Sequence, residues 1–304
     1  MYSLSQVARG LSSPHLVLRE ANRVIHRRFN TWEYNRHGVD IFDEDWDNLI
    51  ILDACRYDTF QAHHSLPGSL ESRLSRGSAT KEFLHGNFAD RDLRDTVYVT
   101  ANPVLYRNRE AIQPRLHEWM DVWKEDGWDE EYRTVRPETM AEYGGRAAEQ
   151  FPNKRLIVHF IQPHYPFIGP TGREHFDLDS LTCPVWLHIS SDEFDIDDRL
   201  IERAFVENLE LTLPHVETLL TAMEGKSVVT ADHGQLLGER IRPLPLRDYG
   251  HPSGVYVDEL IKVPWLVTQN GSRRDIVADE PAGRSASIGE DTVTERLERL
   301  GYIE

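Results

Sequence analysis

Apolar runs that end in polar, metal-ligand-type residues constrain the fold of this chain more than any other feature. The runs are residues 48–52 before Asp53, residues 155–161 before Gln162, Pro163 and His164, and residues 227–231 before Asp232 and His233. Continuous apolar runs of this length are typical of strands buried on both faces of a sheet. Ligands of open α/β sheets bind at the carboxyl ends of the strands. The sequence therefore predicts that these polar residues gather at one edge of a sheet.

Helical patterns separate these runs, which is the signature of βαβ units. Two further strands are predicted at residues 95–100 and 263–267. The predicted helices cover residues 57–64, 112–123, 138–151, 197–223 and 292–300, and another helix begins near Lys81. Residues 183–198 are rich in acids and read as an insertion over the site. We predict an α/β fold with a central, largely parallel sheet, in one catalytic domain spanning residues 41–304.

The charge of the chain narrows its possible partners. Its 304 residues include 51 acidic and 34 basic ones, which gives a formal net charge of -17. Such a chain repels nucleic acid unless it carries a local basic patch, so we expect no nucleic-acid partner. The acidic composition with few lysines resembles that of proteins from salt-loving archaea and predicts a halophilic protein.

The cysteines and the hydropathy pattern predict a cytoplasmic location. Cys55 and Cys183 are too few for a disulfide framework, which favours a reducing compartment. No apolar window reaches the length of a bilayer span, and the N-terminus shows no continuous apolar signal region.

Residues 1–40 differ from the rest of the chain because arginines outnumber acids there. Apolar residues recur at a helical spacing after Pro14, so an arginine-rich, amphipathic helix is predicted. This segment either packs against its own domain or a partner chain, or it lies peripherally on an anionic membrane surface.

The string Asp232-His233-Gly234 is the most specific motif in the sequence. A carboxylate and an imidazole side by side at a strand end offer a divalent cation two ligands, and the glycine lets the backbone turn sharply beside them. Taken with Asp53 on an earlier strand, the motif resembles the alkaline phosphatase superfamily, especially its sulfatase-like and lipoteichoic-acid-synthase-like branches. The resemblance spans about residues 48–267 and implies the three-layer sandwich of that family, with at least one bound divalent metal ion.

The resemblance also implies roles for individual residues. The family's metal site is matched by Asp53, Thr80, Asp232 and His233. Its nucleophile at a helix N-terminus is matched by Thr80, with Ser78 as the alternative. His164 matches a substrate-facing histidine, His251 matches a further metal ligand or anion-contacting base, and Arg56 is placed to clamp an anion. The simpler interpretations are a helix cap for Thr80, a loop histidine for His164, and an ion pair with Asp58 or Glu82 for Arg56.

The expected function is a metal-dependent hydrolase or transferase acting on phosphate esters or phosphodiesters, with glycan- and lipid-linked esters among the candidate substrates. Neither Cys55 nor Cys183 lies in the Cys/Ser-x-Pro-x-Arg string of the main sulfatase class. The alternatives are therefore a sulfatase without that signature and a non-catalytic binding protein of glycan assembly. The ligand set suits zinc, manganese, calcium or magnesium, and one metal ion is better supported than two.

Overall fold

The computed structural model describes residues 14–30, 32–124, 126–176, 186, 189, 197–281 and 289–302. The strands are β1 (Asn48–Leu52), β2 (Ser69–Leu74), β3 (Asp92–Thr100), β4 (Arg115–Asp121), β5 (Trp128–Asp129), β6 (Thr134–Val135), β7 (Arg155–Phe160), β8 (Gly225–Thr230), β9 (Leu236–Ile241), β10 (Leu246–Gly250) and β11 (Lys262–Asn270). The helices are α1 (Pro14–Phe29), α2 (Tyr57–His63), α3 (Thr80–Phe88), α4 (Val104–Arg107), α5 (Arg109–Ile112), α6 (Pro137–Gln150), α7 (Pro170–His175), α8 (Asp198–Ala222), α9 (Asp258–Ile261) and α10 (Glu290–Arg299).

A seven-stranded sheet in the order β2-β11-β8-β1-β7-β3-β4 forms the centre of the fold. The pairs from β8 to β4 are parallel, whereas β11 pairs antiparallel with both β8 and β2. Every residue of β1 is buried, which explains why its sequence is a continuous apolar run. The predicted α/β class with a largely parallel sheet is confirmed.

Helices cover both faces of the sheet, so the three-layer arrangement is also confirmed. A Cβ added to Gly144 of α6 would lie 3.1 Å from Val158, which places α6 on the face to which Val158 points. On strand β3, Tyr98 pairs in register with Ile157 and therefore points to the opposite face. The ring of Phe88 in α3 lies 5.4 Å from that of Tyr98, so α3 covers this second face.

The predicted helix at residues 112–123 is wrong, because most of that stretch forms strand β4 at the edge of the sheet. Helix α5 ends at Ile112, and Gln113 adopts a left-handed conformation with a φ of 47°. Pro114 follows and cannot continue a helix, since it lacks an amide proton and restricts the residue before it. The half-buried edge strand carries apolar residues at spacings that also fit a helix.

The long predicted helix at residues 197–223 is present as α8, and Pro214 lies inside it. Asp197 caps its N-terminus by accepting a hydrogen bond from the Arg199 amide at 3.1 Å. Among the described residues, none of the helices combines the length and the apolar character that a bilayer span requires.

Candidate metal centre

The centre is built on three neighbouring strands in the middle of the sheet, β8, β1 and β7. Ile51 of β1 pairs in register with His159 of β7 and Thr230 of β8. Side chains two positions apart on a strand share a face, so Asp53 and Asp232 continue the rows of Ile51 and Thr230. The strand register thus brings Asp53, Asp232 and His159 to one face at the carboxyl edge of the sheet.

The two buried carboxylates each have one oxygen held by donors and one that is free. Asp53 Oδ2 accepts hydrogen bonds from Asn102 Nδ2 at 2.6 Å and from the Tyr302 hydroxyl. Asp232 Oδ1 accepts the amide protons of Ala54 at 3.1 Å and of His233 at 2.9 Å. Within the described part of the chain, Asp53 Oδ1 and Asp232 Oδ2 have no hydrogen-bond partner. A buried oxygen without a hydrogen-bond partner destabilises the fold, so these two oxygens indicate a ligand-binding position.

The tautomer of His233 follows from its contacts. Its Nδ1 lies 2.7 Å from the carbonyl oxygen of Gly234, which can only accept, so Nδ1 carries the proton. The lone pair of Nε2 then faces the carboxylates, 3.5 Å from Asp53 Oδ1 and 3.4 Å from Asp232 Oδ2. A histidine fixed through one nitrogen with the other exposed is the usual arrangement of a metal-binding imidazole.

Asp53, Asp232 and His233 together fit a divalent cation. Their ligand atoms all lie within 4.8 Å of one another, and all three side chains are buried. Burial, and next the charge of Asp232, raise the pKa of Asp53 well above its usual value. A cation held between the two carboxylates removes the repulsion that raises this pKa. The predicted divalent-metal cofactor is consistent with the residues present.

His159 is a fourth candidate ligand that the sequence analysis did not single out. Its Nε2 has no hydrogen-bond partner among the described residues and lies 3.7 Å from Asp53 Oδ2 and 3.8 Å from Asp232 Oδ2. The other ring nitrogen, Nδ1, lies 2.7 Å from the Tyr98 hydroxyl. The feature that could have identified His159 is its position inside an apolar strand, next to the strand that ends at Asp53.

Thr80 lies beside the ligand group as the first residue of helix α3. Its Oγ1 is 3.2 Å from His233 Nε2 and 3.5 Å from Asp53 Oδ2. Ser78 is differently placed, because its Oγ contacts Glu82 Oε2 at 2.9 Å and the Pro252 carbonyl at 3.0 Å. The structure therefore brings Thr80, rather than Ser78, next to the carboxylates and the imidazole.

His164 and His251 form a pair on the open side of the group. Their Nε2 atoms are 2.8 Å apart, and His164 Nδ1 lies 2.6 Å from the carbonyl oxygen of Tyr165. Since that carbonyl requires a proton on Nδ1, neutral His164 accepts a hydrogen bond at Nε2 from the Nε2–H of His251. The His251 ring also stacks on His233, with centroids 4.5 Å apart. Burial lowers the pKa of His164 to about 4 and that of His251 well below its usual value.

The loop that carries His164 is fixed by a buried side chain of helix α8. Asn208 Nδ2 donates to the carbonyl oxygens of His164 at 3.1 Å and Pro166 at 2.9 Å. Trp186 lies near His164, with ring centroids 6.5 Å apart. Cys183 and most of the predicted insertion at residues 183–198 lie outside the described residues.

Arg56 makes ion pairs in the structure. Its guanidinium contacts both oxygens of Asp58, at 2.9 and 2.6 Å, and it also contacts Glu239 and the Gln235 carbonyl. Pairing with Asp58 is the simpler alternative that the sequence left open. The anion clamp at Arg56 stays a prediction that requires these contacts to rearrange.

Gly234 is required by close packing. A Cβ there would lie 2.1 Å from the carbonyl oxygen of Glu259, a distance that no side chain tolerates. Ala54, between Asp53 and Cys55, has a φ of 61°, a conformation that non-glycine residues rarely adopt. This turn aims its amide at Asp232 and places the buried Cys55 beneath the site.

The chain is similar to several solved structures at low sequence identity. No protein-family model and no curated protein sequence matches it. Among solved structures, it is similar to the C-terminal periplasmic domain of phosphoethanolamine transferase EptC from Campylobacter jejuni, at 14% identity over 73% of this chain and 78% of that one, with a TM-score of 0.49.

Two further solved structures are similar to the chain at lower scores. The C-terminal periplasmic domain of EptC from Escherichia coli, in complex with Zn, shows 12% identity over 72% of each chain, with a TM-score of 0.45. The phosphonate monoester hydrolase of Silicibacter pomeroyi shows 14% identity over 83% of this chain and 72% of that one, with a TM-score of 0.35.

Proposed function

We propose that this chain is a metal-dependent hydrolase or transferase that acts on phosphate esters or phosphodiesters, with Thr80 as its nucleophile. One observation carries the proposal. The Thr80 hydroxyl lies 3.2 Å from His233 Nε2, beside two buried carboxylates whose free oxygens, Asp53 Oδ1 and Asp232 Oδ2, converge with that nitrogen. A hydroxyl next to a metal-type ligand group is the arrangement that nucleophilic phosphoryl transfer needs.

Asp53, Asp232 and His233 would hold the cation, with His159 as a further ligand. A divalent cation there supplies positive charge that favours the Thr80 alkoxide and offsets charge on the transferred group. Asp53 Oδ2, 3.5 Å from Thr80 Oγ1, is positioned to orient the hydroxyl. Thr80 Oγ1 loses its proton to solvent and forms a bond to phosphorus, and the bond from phosphorus to the leaving oxygen breaks. Water or an acceptor hydroxyl then cleaves the Thr80 ester.

His164 and His251 would contact the non-bridging oxygens and return a proton to the leaving oxygen. The pair is neutral near pH 7, because burial lowers both pKa values. A bound phosphate dianion beside the rings opposes this effect and raises both pKa values. Substrate binding would therefore favour the protonated form of the pair, which can donate a proton.

Sulfate-ester hydrolysis at the same centre is the second candidate. Cys55 is the only cysteine among the described residues, and it is buried, with burial raising the pKa of its thiol well above its usual value. An inert thiol of this kind does not serve as a nucleophile, so we assign the sulfatase reaction to Thr80 as well rather than to Cys55. A non-catalytic binding protein of glycan assembly is the third candidate.

The test combines metal analysis with turnover. Wild type, Thr80→Ala and Thr80→Ser are compared on aryl phosphate monoester, phosphodiester and sulfate substrates, and metal per chain is measured by elemental analysis. Thr218→Ala, on the exposed side of α8, is the matched control. We expect Thr80→Ala to lower kcat by about 10³-fold or more while the control retains full turnover.

The outcomes separate the candidates. Turnover of a phosphate substrate that is lost in Thr80→Ala supports the proposal, and turnover of the sulfate alone supports the sulfatase. Bound metal with equal turnover in wild type and Thr80→Ala contradicts the role of Thr80. Absence of both metal and turnover leaves the non-catalytic binding protein.

The proposal extends to the setting of the enzyme. We propose a cytoplasmic, halophilic protein with a glycan- or lipid-linked phosphate substrate, and with a peripheral membrane or protein contact through residues 1–40. The domain boundary near residue 40 and the cytoplasmic location stay predictions from the sequence.

A further inference from the structure

Helix α1 binds the rest of the protein through its polar face. Arg23 forms an ion pair with Asp248, at 2.6 Å, and Asn22 Nδ2 donates to the carbonyl oxygens of Ile241 and Leu244, at 3.0 and 3.1 Å. Arg19 Nε donates to the Arg247 carbonyl at 2.9 Å. These partners all belong to the β9–β10 hairpin or the turn that joins its strands. Amphipathic helices of globular proteins usually bury their apolar face instead.

The apolar face of α1 points to solvent. Its side chains are Val17, Leu18, Ala21, Val24, Ile25 and Phe29, all exposed, and Trp32 follows just beyond the helix. Phe29 is 81% exposed and Trp32 is 54% exposed. Most of the large exposed apolar side chains among the described residues belong to this one surface, which we call the α1 face. A contiguous exposed apolar surface of this kind indicates a binding surface.

The charge of the α1 face is opposite to that of the protein as a whole. Residues 14–36 contain five arginines and two glutamates, in a chain whose net charge is -17. Arg19 and Arg23 turn inward to the hairpin, so the residues outside these contacts are three arginines and the two glutamates. Arg28 lies within the face and is exposed, with no ion pair in the part of the chain that the structure describes. Arg36 lies over the Trp32 ring, with its guanidinium carbon 3.0 Å from the centroid. An apolar face with interspersed arginines and a flanking tryptophan is typical of helices that lie in the interface of an anionic bilayer.

A second copy of this chain fits the face less well. In a two-fold dimer the same surface meets itself, so each copy brings Arg28, unpaired within the described chain, into the interface. Among the described residues of this segment, the two acids already have partners, since Glu20 pairs with Arg27 and Glu33 pairs with His85. Anionic lipid head groups supply the missing negative charge, and acyl chains accept the apolar side chains. We propose that the α1 face docks the protein on an anionic lipid surface.

Helix α1 is also connected to the candidate active site. Arg27 Nε donates to the Ser253 carbonyl at 3.1 Å, and Asn30 Nδ2 donates to the Gly254 carbonyl at 3.0 Å. Both carbonyls belong to the loop that follows His251. Docking therefore holds this loop close to the lipid surface. If the proposed phosphoryl-transfer function holds, on which this step rests, the substrate class is a lipid-linked phosphate ester.

The docking is tested with the full chain and vesicles. Sedimentation is compared for phosphatidylcholine vesicles and for vesicles that also contain phosphatidylglycerol, at matched salt. The variant is Ile25→Ser with Phe29→Ser, and the matched control is Leu211→Ser, an exposed apolar residue of α8. We expect wild type and the control to bind the anionic vesicles, and the double variant to bind about tenfold more weakly or worse.

A second variant, Arg28→Glu, tests the electrostatic part, and we expect it to lose the preference for anionic vesicles. Failure of wild type to sediment with anionic vesicles, or equal sedimentation of wild type and the double variant, would overturn the proposal. Light scattering that shows a dimer in wild type and a monomer in the double variant, without vesicle binding, would assign the face to a second copy.

Failure of the docking can be told apart from failure of the proposed function. The Ile25→Ser, Phe29→Ser variant should turn over a soluble aryl phosphate at the wild-type rate, since α1 contributes no residue to the metal centre. Thr80→Ala should bind vesicles like wild type and lack turnover. Circular dichroism of each variant shows that it is folded.

Discussion

The hydroxyl of Tyr302 contacts the carboxylate of Asp53, although 249 positions separate the two residues in the sequence. The same hydroxyl lies 2.7 Å from Asn102 Nδ2, which also donates to Asp53 at 2.6 Å. Both contacts involve the Asp53 oxygen Oδ2. Tyr302 and Asn102 therefore fix the orientation in which Oδ1 faces Asp232 and His233.

Loss of these contacts should weaken metal binding. For Tyr302→Phe and Asn102→Ala we expect metal affinity to fall by about 10- to 100-fold, because groups that orient a ligand contribute that much. Titration with a chromophoric chelator measures the affinity. Tyr132→Phe, whose hydroxyl contacts Arg173, is the control and should match wild type. Unchanged affinity in both site variants would show that Asp53 is oriented without them.

His159 should behave as a ligand, and Tyr98 as its support. We expect His159→Ala to lower metal affinity more than Tyr98→Phe does, since only the first removes a group that faces the cation. In the cobalt-substituted protein, loss of an imidazole ligand changes the visible absorption spectrum, which the Tyr98→Phe change should largely preserve. A wild-type spectrum in His159→Ala would show that the ring is not a ligand.

Acid should destabilise the metal-free protein through its buried histidines. Burial lowers the pKa values of His159 and His164 to about 4, below the usual value of 6.5. The unfolded chain therefore binds more protons between these values, so each histidine contributes stability above pH 6.5 that is lost as the pH falls toward 4. As the pH falls from 7 to 5, we expect each of the two histidines to lower the free energy of unfolding by about 1 to 2 kcal/mol.

Urea unfolding in the presence of a chelator measures this slope. His164→Gln cannot be protonated and should show a shallower decline than wild type over the same pH range. Thr218→Ala, on the exposed side of α8, removes no titratable group and should reproduce the wild-type slope. Equal slopes in all three proteins would show that His164 is not titrated on unfolding.

Salt should stabilise the protein. With 51 acidic and 34 basic residues, repulsion between like charges dominates the surface. Raising KCl from about 0.1 to about 1 M shortens the screening length from about 10 to about 3 Å, so we expect Tm to rise. Scanning calorimetry over this range is the measurement. A constant or falling Tm would contradict the halophilic interpretation of the composition.

The sequence predicts the centre of the fold well, because the strands there are buried on both faces. Residues 48–52 and 227–230 are recognisable as strands from their apolar character alone, and both neighbours of β1 end in ligand-type residues. At the sheet edge the same reasoning fails. Strand β4 is half-buried and its apolar residues fall at spacings that also fit a helix, so only Pro114 indicates that a helix cannot pass through.

The sequence also predicts which motif residues lie at the candidate site, but not the groups that hold them. Asn102, Tyr302 and Asn208 act through contacts with residues distant in the chain, and nothing local marks them. The sequence likewise does not predict that α1 packs against the protein through its polar face. An amphipathic pattern shows that a helix has two faces, whereas the contacts with Asp248 and the hairpin carbonyls decide which face turns inward.

The place of β1 in the sheet has a consequence for biosynthesis. This strand is apolar after Asn48 and is buried between β7 and β8, both of which lie far downstream in the sequence. At about 5 to 20 residues per second, several seconds pass between the emergence of β1 from the ribosome and that of its first partner strand. During that interval the nascent chain exposes its most aggregation-prone segment, so we expect its yield in a heterologous host to depend on chaperones.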